Sequence, residues 1–188
     1  MRIWKVAGLF AGSFLMLSPA FAQSLPGTGP FIGTSAGYGW GASQQRDDFV
    51  TPPPPVVQNG PVNDGDYDVR GASVGLGAGY GFLLGKLLLG VEADISWSGI
   101  DGSSSVCGGN HTCGTELDAY GTLRGKVGTH LTPATLIYAT GGLAVGRIHA
   151  YDQLDPSYEG TRTKAGWTFG AGIEQKLSGP WSMKLDYL

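Results

Sequence analysis

The sequence predicts an all-β chain, an antiparallel up-and-down transmembrane β-barrel, and three observations carry that expectation. Apolar and polar residues alternate with a period of two, in segments about as long as a tilted membrane-crossing strand of roughly 9–11 residues. The links between segments alternate between short and long. Charged residues within the clearest segments keep to one face.

The first element stands apart. Arg2 and Lys5 make a positive start, Val6 to Leu17 is an uncharged apolar run, and Ser18-Pro19 breaks it ahead of Ala20-Phe21-Ala22. That is the layout of a secretory signal, with cleavage expected after Ala22. A spanning helix needs about 20 apolar residues, more than this run supplies. Residues 1–22 are therefore expected to be a signal peptide and 23–188 a single domain. The leader holds two of the 12 Lys and Arg and none of the 15 Asp and Glu, so the remainder carries a net charge of −5. Such a chain lacks the basic patch that nucleic acid requires. Only 14% of residues are charged, against about 25% in soluble domains. Glycine is 33 of 188 residues and has no collagen-like period of three. It alternates instead with apolar residues, as in Gly75-Leu76-Gly77-Ala78-Gly79-Tyr80-Gly81.

Seven segments follow. Phe31 to Gly41 and Ala72 to Phe82 are the first two. In the third, Leu87 to Ser98, Leu87, Leu89, Val91, Ala93, Ile95 and Trp97 share one face, opposite Glu92, Asp94 and Ser96. In the fourth, Leu117 to Gly128, Leu117, Ala119, Leu123 and Val127 oppose Asp118, Tyr120, Thr122, Arg124 and Lys126. The fifth is Thr135 to Arg147. The sixth, Ala165 to Lys176, sets Trp167, Phe169 and Ile173 against Glu174 and Lys176. In the seventh, from Trp181, Trp181, Met183, Leu185 and Tyr187 oppose Ser182, Lys184 and Asp186.

Leu83 to Lys86, Thr129 to Ala134 and Leu177 to Pro180 are the short links; residues 42–71, 99–116 and 148–164 are the long polar ones. Transmembrane barrels have this asymmetry, with tight turns at one end and loops at the other. A Lys or Arg facing lipid at mid-bilayer costs about 2–4 kcal/mol. Arg124, Lys126 and Lys184 are therefore expected in the lumen, together with Glu92, Asp94, Asp118, Glu174 and Asp186. Glu92 with Arg124, and Glu174 with Lys184, lie at matching heights on neighbouring segments and are expected to form ion pairs. Gly75, Gly77, Gly79 and Gly81 leave lumenal room for longer side chains. Trp40, Tyr80, Phe82, Trp97, Trp167, Trp181 and Tyr187 lie near segment ends on the lipid face, where aromatics suit the membrane interface.

The blocks Leu117-Asp118-Ala119-Tyr120-Gly121-Thr122-Leu123-Arg124-Gly125-Lys126-Val127-Gly128 and Ile137-Tyr138-Ala139-Thr140-Gly141-Gly142-Leu143-Ala144 resemble the signature of small outer-membrane barrels of alphaproteobacteria. These are surface antigens of the outer-membrane porin family, with an OmpA-like β-barrel domain. Gly166 to Glu174 and Trp181 to Leu188 extend the likeness; Ala119 stands where an aromatic is common. The resemblance implies an eight-stranded type of barrel in the outer membrane of a Gram-negative bacterium. Members continue past the Asp186-Tyr187-Leu188 block to a closing strand, so it also implies that the last strand is missing from this chain. Seven strands would leave two edges that lipid cannot satisfy, and a fragment or truncated product is expected. The implied role is structural and surface-exposed. The expected partners are outer-membrane lipid and lipopolysaccharide, the barrel-assembly machinery, and host or surface ligands through loops 42–71, 99–116 and 148–164.

Little other chemistry is legible. Cys107 and Cys113 are expected to form a disulfide in an oxidising compartment. A metal site built on them with His111 lacks a fourth ligand. Asp64-Gly65-Asp66-Tyr67-Asp68 reads as a solvated acidic loop, without the distant Glu of a calcium loop. Thr51-Pro52-Pro53-Pro54-Pro55-Val56 reads as extended polyproline. His111, His130 and His149 have no serine motif or paired carboxylates beside them, so neither catalysis nor a cofactor is expected. The competing readings are a porin or narrow channel, and a soluble secreted β-barrel binding an apolar ligand. An eight-strand lumen is filled by side chains, whereas open porins have 16–18 strands.

Overall fold

The computed structural model describes residues 7–19, 25–46, 63–107, 111–152 and 160–188. They form a closed antiparallel barrel in which each strand pairs with its sequence neighbours and the first pairs with the last. The strands are β1 (Ala7–Pro19), β2 (Gly29–Arg46), β3 (Asn63–Leu84), β4 (Leu87–Cys107), β5 (His111–Thr132), β6 (Thr135–Asp152), β7 (Gly160–Lys176) and β8 (Trp181–Tyr187).

The alternation read in the sequence sets the two faces. Along β4, Leu87, Val91, Ile95 and Trp97 are exposed, while Leu88, Glu92 and Ser96 are buried. On β8 the buried residues are Ser182, Lys184 and Asp186, while Trp181, Met183, Leu185 and Tyr187 point out. The outer wall thus collects Leu76, Tyr80, Phe82, Leu123, Leu143, Trp167 and Phe169, all exposed. Water tolerates no such continuous apolar wall, whereas lipid does. The soluble alternative is thereby displaced. On β4 the apolar band runs from Leu87 to Trp97, about 33 Å along the strand and about 25 Å once tilted. That matches the apolar belt of an outer-membrane barrel.

Most strands are longer than the alternation suggested, chiefly at the end opposite the tight turns. Residues 99–107 and 111–116, expected as loop, continue the β4–β5 ladder. Asn63–Leu84 likewise absorbs the Asp64 to Asp68 run into β3. Beyond the apolar belt the outer face leaves lipid and no longer requires apolar residues, so the period-two signature disappears although the backbone ladder persists. Residues 47–62, with the proline run, lie outside the described residues.

Closure brings a further difference. Ala7–Pro19, read as part of a leader, pairs along β2 from Ala7 with Gln44 to Leu17 with Thr34. Its other edge pairs with β8 from Ser13 with Tyr187 to Pro19 with Trp181. An uncharged apolar run is competent as a strand, and here it occupies the edges of β2 and β8 that lipid cannot satisfy. Among the described residues the ring is thus completed by Ala7–Pro19.

Candidate functional site

The site is the lumen, built by the inward-facing residues of every second position. Glu92 on β4 stands opposite Arg124 on β5, and Glu174 on β7 opposite Lys184 on β8. Glu92, Arg124, Lys126, Glu174, Lys184 and Asp186 are all at most 4% exposed. Burying ions this deeply is costly unless each finds a partner. Lys126 Nζ lies 2.7 Å from Glu92 Oε2 and 3.6 Å from Glu174 Oε2. Lys184 Nζ donates to the same Glu92 Oε2 at 3.2 Å. The Arg124 guanidinium spans Asp94 at 3.1 Å, Glu92 at 3.7 Å and Asp186 at 3.8 Å. Four carboxylates and three cations so form one connected network.

The pairing differs in part from the register. Glu92 and Arg124 face each other and interact. Glu174 and Lys184 also face each other, yet their recorded ion pairs run elsewhere, Glu174 to Lys126 and Lys184 to Glu92. An eight-strand lumen is narrow enough for a lysine to reach the opposite wall, so height on a ladder does not choose the partner.

Asp118 is the one charge that the structure removes from the lumen. Leu117 pairs with Ile148 and Ala119 with Arg147, so Asp118 is an extra residue of β5, a bulge. An inserted residue shifts the alternation. Asp118 is exposed, and Leu117 packs inward against Val69 and Ile100. The three apolar residues lie in the lumen above the charges, on the side away from the tight turns.

Several lumenal residues complete the network without having been singled out. Tyr138 donates its hydroxyl to Asp186, reaching across Gly172 on the strand between. A Cβ on Gly172 would lie 2.6 Å from the Tyr138 ring, so glycine there is a steric requirement. Thr122 donates to Asp94, and Tyr120 donates to Ser73 at 3.1 Å. The Phe31 ring lies 3.4 Å from Lys184 Nζ, a cation–π contact. Tyr138 could have been found from the sequence, since it alternates with the outward Ile137 and Ala139. Phe31 gave no signal beyond opening a strand.

The tight-turn end is closed by chain as well as by side chains. Pro26 and Gly27, just before β2, are buried, and Gly27 lies against Leu88 and Leu136. Gly27 N–H donates to Glu174 Oε1 at 3.0 Å. His130 Nε2 sits 2.9 Å from the Pro26 carbonyl oxygen.

Cys107 and Cys113 stand on the facing ends of β4 and β5, where Cys107 pairs with His111 and Ser104 with Cys113. The side chains of all four lie outside the described residues, as does Ala22. Among the described residues no group of His, Cys, Asp and Glu is arranged to hold a metal.

Comparison with known proteins agrees with this architecture. Residues 7–188 match the outer membrane protein beta-barrel domain. The chain is 33% identical over 169 residues to the 31 kDa outer-membrane immunogenic protein of Brucella melitensis, covering 86% of this chain and 69% of that protein. It is 35% identical over 132 residues to the 22 kDa outer membrane protein of Rhizobium leguminosarum bv. viciae, covering 68% of this chain and 58% of the relative. The 25 kDa outer-membrane immunogenic protein of Brucella abortus is 28% identical over 152 residues, 80% of this chain and 58% of that protein. With its lipid-facing apolar belt, inward charges and short-turn end, this chain belongs to the alphaproteobacterial family of outer-membrane β-barrel proteins.

Proposed function

We propose that this outer-membrane protein serves the envelope as a sealed, surface-exposed barrel, without catalytic activity and without acting as a diffusion pore. The observation that carries the reading is the lumen: seven ionisable side chains interlock where a pore would hold water. A network of this kind ties several strands to one another through the interior and replaces an apolar core. The relatives named immunogenic suggest exposure at the cell surface, which fits strands that run well past the apolar belt. Lipopolysaccharide around the belt, the barrel-assembly machinery during insertion, and surface ligands at the outer tips are the partners this reading expects. Export through a leader cleaved after Ala22 belongs to the same proposal; that cleavage takes β1 away, so the exported barrel then needs another strand between β2 and β8, and intact mass of the outer-membrane form tests it.

Single-channel recording in planar bilayers tests the sealed lumen. The expected result is a quiet membrane at protein levels that give folded, heat-modifiable barrel. Large, stable conductance steps would establish the porin reading instead.

A further inference from the structure

Beneath the charge network the floor is formed by Leu88 and Leu136 together with a piece of main chain. Residues 25–29 turn under the barrel before β2 begins. Thr28 donates from both its backbone N–H and its hydroxyl to the Leu25 carbonyl, at 3.3 and 2.7 Å, which folds the segment into a compact turn. Gly27 and Gly29 have φ of 76° and 79°, a left-handed backbone that side chains disfavour. Pro26 is fully buried.

The barrel is shaped to receive this turn. A Cβ added to Gly81 would lie 1.9 Å from the Gly27 carbonyl oxygen, so the β3 wall needs glycine where the turn abuts it. A Cβ on Gly27 itself would lie 2.7 Å from Leu136 and 3.2 Å from Leu88, both fully buried. Two polar contacts fix the turn, Gly27 N–H to Glu174 and the Pro26 carbonyl with His130. The first joins it directly to the network, because Glu174 is also paired with Lys126.

From these contacts we propose that residues 25–29 are a plug, and that this plug seals the tight-turn mouth of the barrel against water. The inference rests on the sealed-lumen reading and adds to it: side chains fill the lumen, and the plug bars entry from the periplasmic side. Glu174 is the latch. The plug lies downstream of Ala22, so cleavage there leaves it in place. Withdrawing it uncovers Leu88 and Leu136 and takes from Glu174 its backbone donor.

A thiol reporter beneath the plug tests this. With Cys107→Ser and Cys113→Ser removing the native thiols, Leu88→Cys is introduced into the full chain and refolded in detergent micelles. Labelling by a charged maleimide is timed, with Thr129→Cys, exposed near the tight-turn end of β5, as reference. Leu88→Cys is expected to label at least ten-fold more slowly than Thr129→Cys. Adding Gly27→Val, which places atoms where Leu136 and Leu88 stand, is expected to remove that protection while the barrel still runs as the folded, heat-modifiable species. Equal labelling with and without Gly27→Val in folded protein overturns the plug. If Gly27→Val does not fold, the native-plug comparison decides: labelling as fast as Thr129→Cys overturns it, and protection supports it. Bilayer recording of the native chain separates the two readings. Large steps sink the sealed lumen, whereas a quiet bilayer with an unprotected Leu88→Cys sinks the plug alone.

Discussion

Glu92 is the residue on which the interior turns. Its Oε2 lies near two lysines, and Oε1 faces the Arg124 guanidinium. Its neighbours depend on it more than on one another, since losing one buried partner strands the opposite charge. Arg124→Leu is therefore expected to lower unfolding stability by about 3–5 kcal/mol, read from urea-induced unfolding followed by gel mobility. An unchanged midpoint would refute the network as a stabilising element. Tyr138→Phe removes a single donor to Asp186 and is expected to cost less, about 1–3 kcal/mol. Gly172→Val blocks the path of the Tyr138 ring and is expected to cost more than Tyr138→Phe in the same assay. The reverse order would mean that the crossing over Gly172 carries no weight.

At the scale of the strand, what could be read in the sequence was set by contrast between the two faces. Between Leu87 and Trp97 one face meets lipid and the other a charged lumen, so β4 is legible residue by residue. Past Trp97 the outer face leaves lipid and its residues need not be apolar, which is why residues 99–107 and 111–116 read as loop. The bulge at Asp118 was hidden for a different reason. One inserted residue leaves no mark in composition, and it sent Leu117 inward and Asp118 outward. The plug was hidden because its recognition is by main chain, which any sequence has. Only the glycines flanking Pro26 and Thr28 hinted at an unusual backbone. The inward charges were legible because their alternative, lipid, is so costly. That cost gives a strand-level test: Leu123→Arg on the outer wall of β5 is expected to destabilise the folded barrel by about 2–4 kcal/mol, whereas Thr163→Arg, exposed beyond the belt, is expected to be nearly neutral. Equal effects would contradict the assignment of the apolar belt.

For the whole molecule, the strands are much longer than the belt they cross. β4 continues ten residues past Trp97, about 25 Å further from the bilayer at the usual strand tilt. Deleting Gly102-Ser103 together with their partners Gly114-Thr115 removes two rungs without changing which way any remaining side chain points. The expected outcome is a hairpin shorter by about 7 Å on a barrel of unchanged thermal stability. Quenching of a fluorophore at the tip by quenchers in the lipid headgroups reports the distance. An unaltered distance would mean that the hairpin lies along the membrane instead of standing above it.

This overshoot makes the β4–β5 hairpin a pedestal. A hydrogen-bonded ladder is stiff, so its outer end is held at a set height above the bilayer. Whatever approaches from that side meets this end before it meets the membrane.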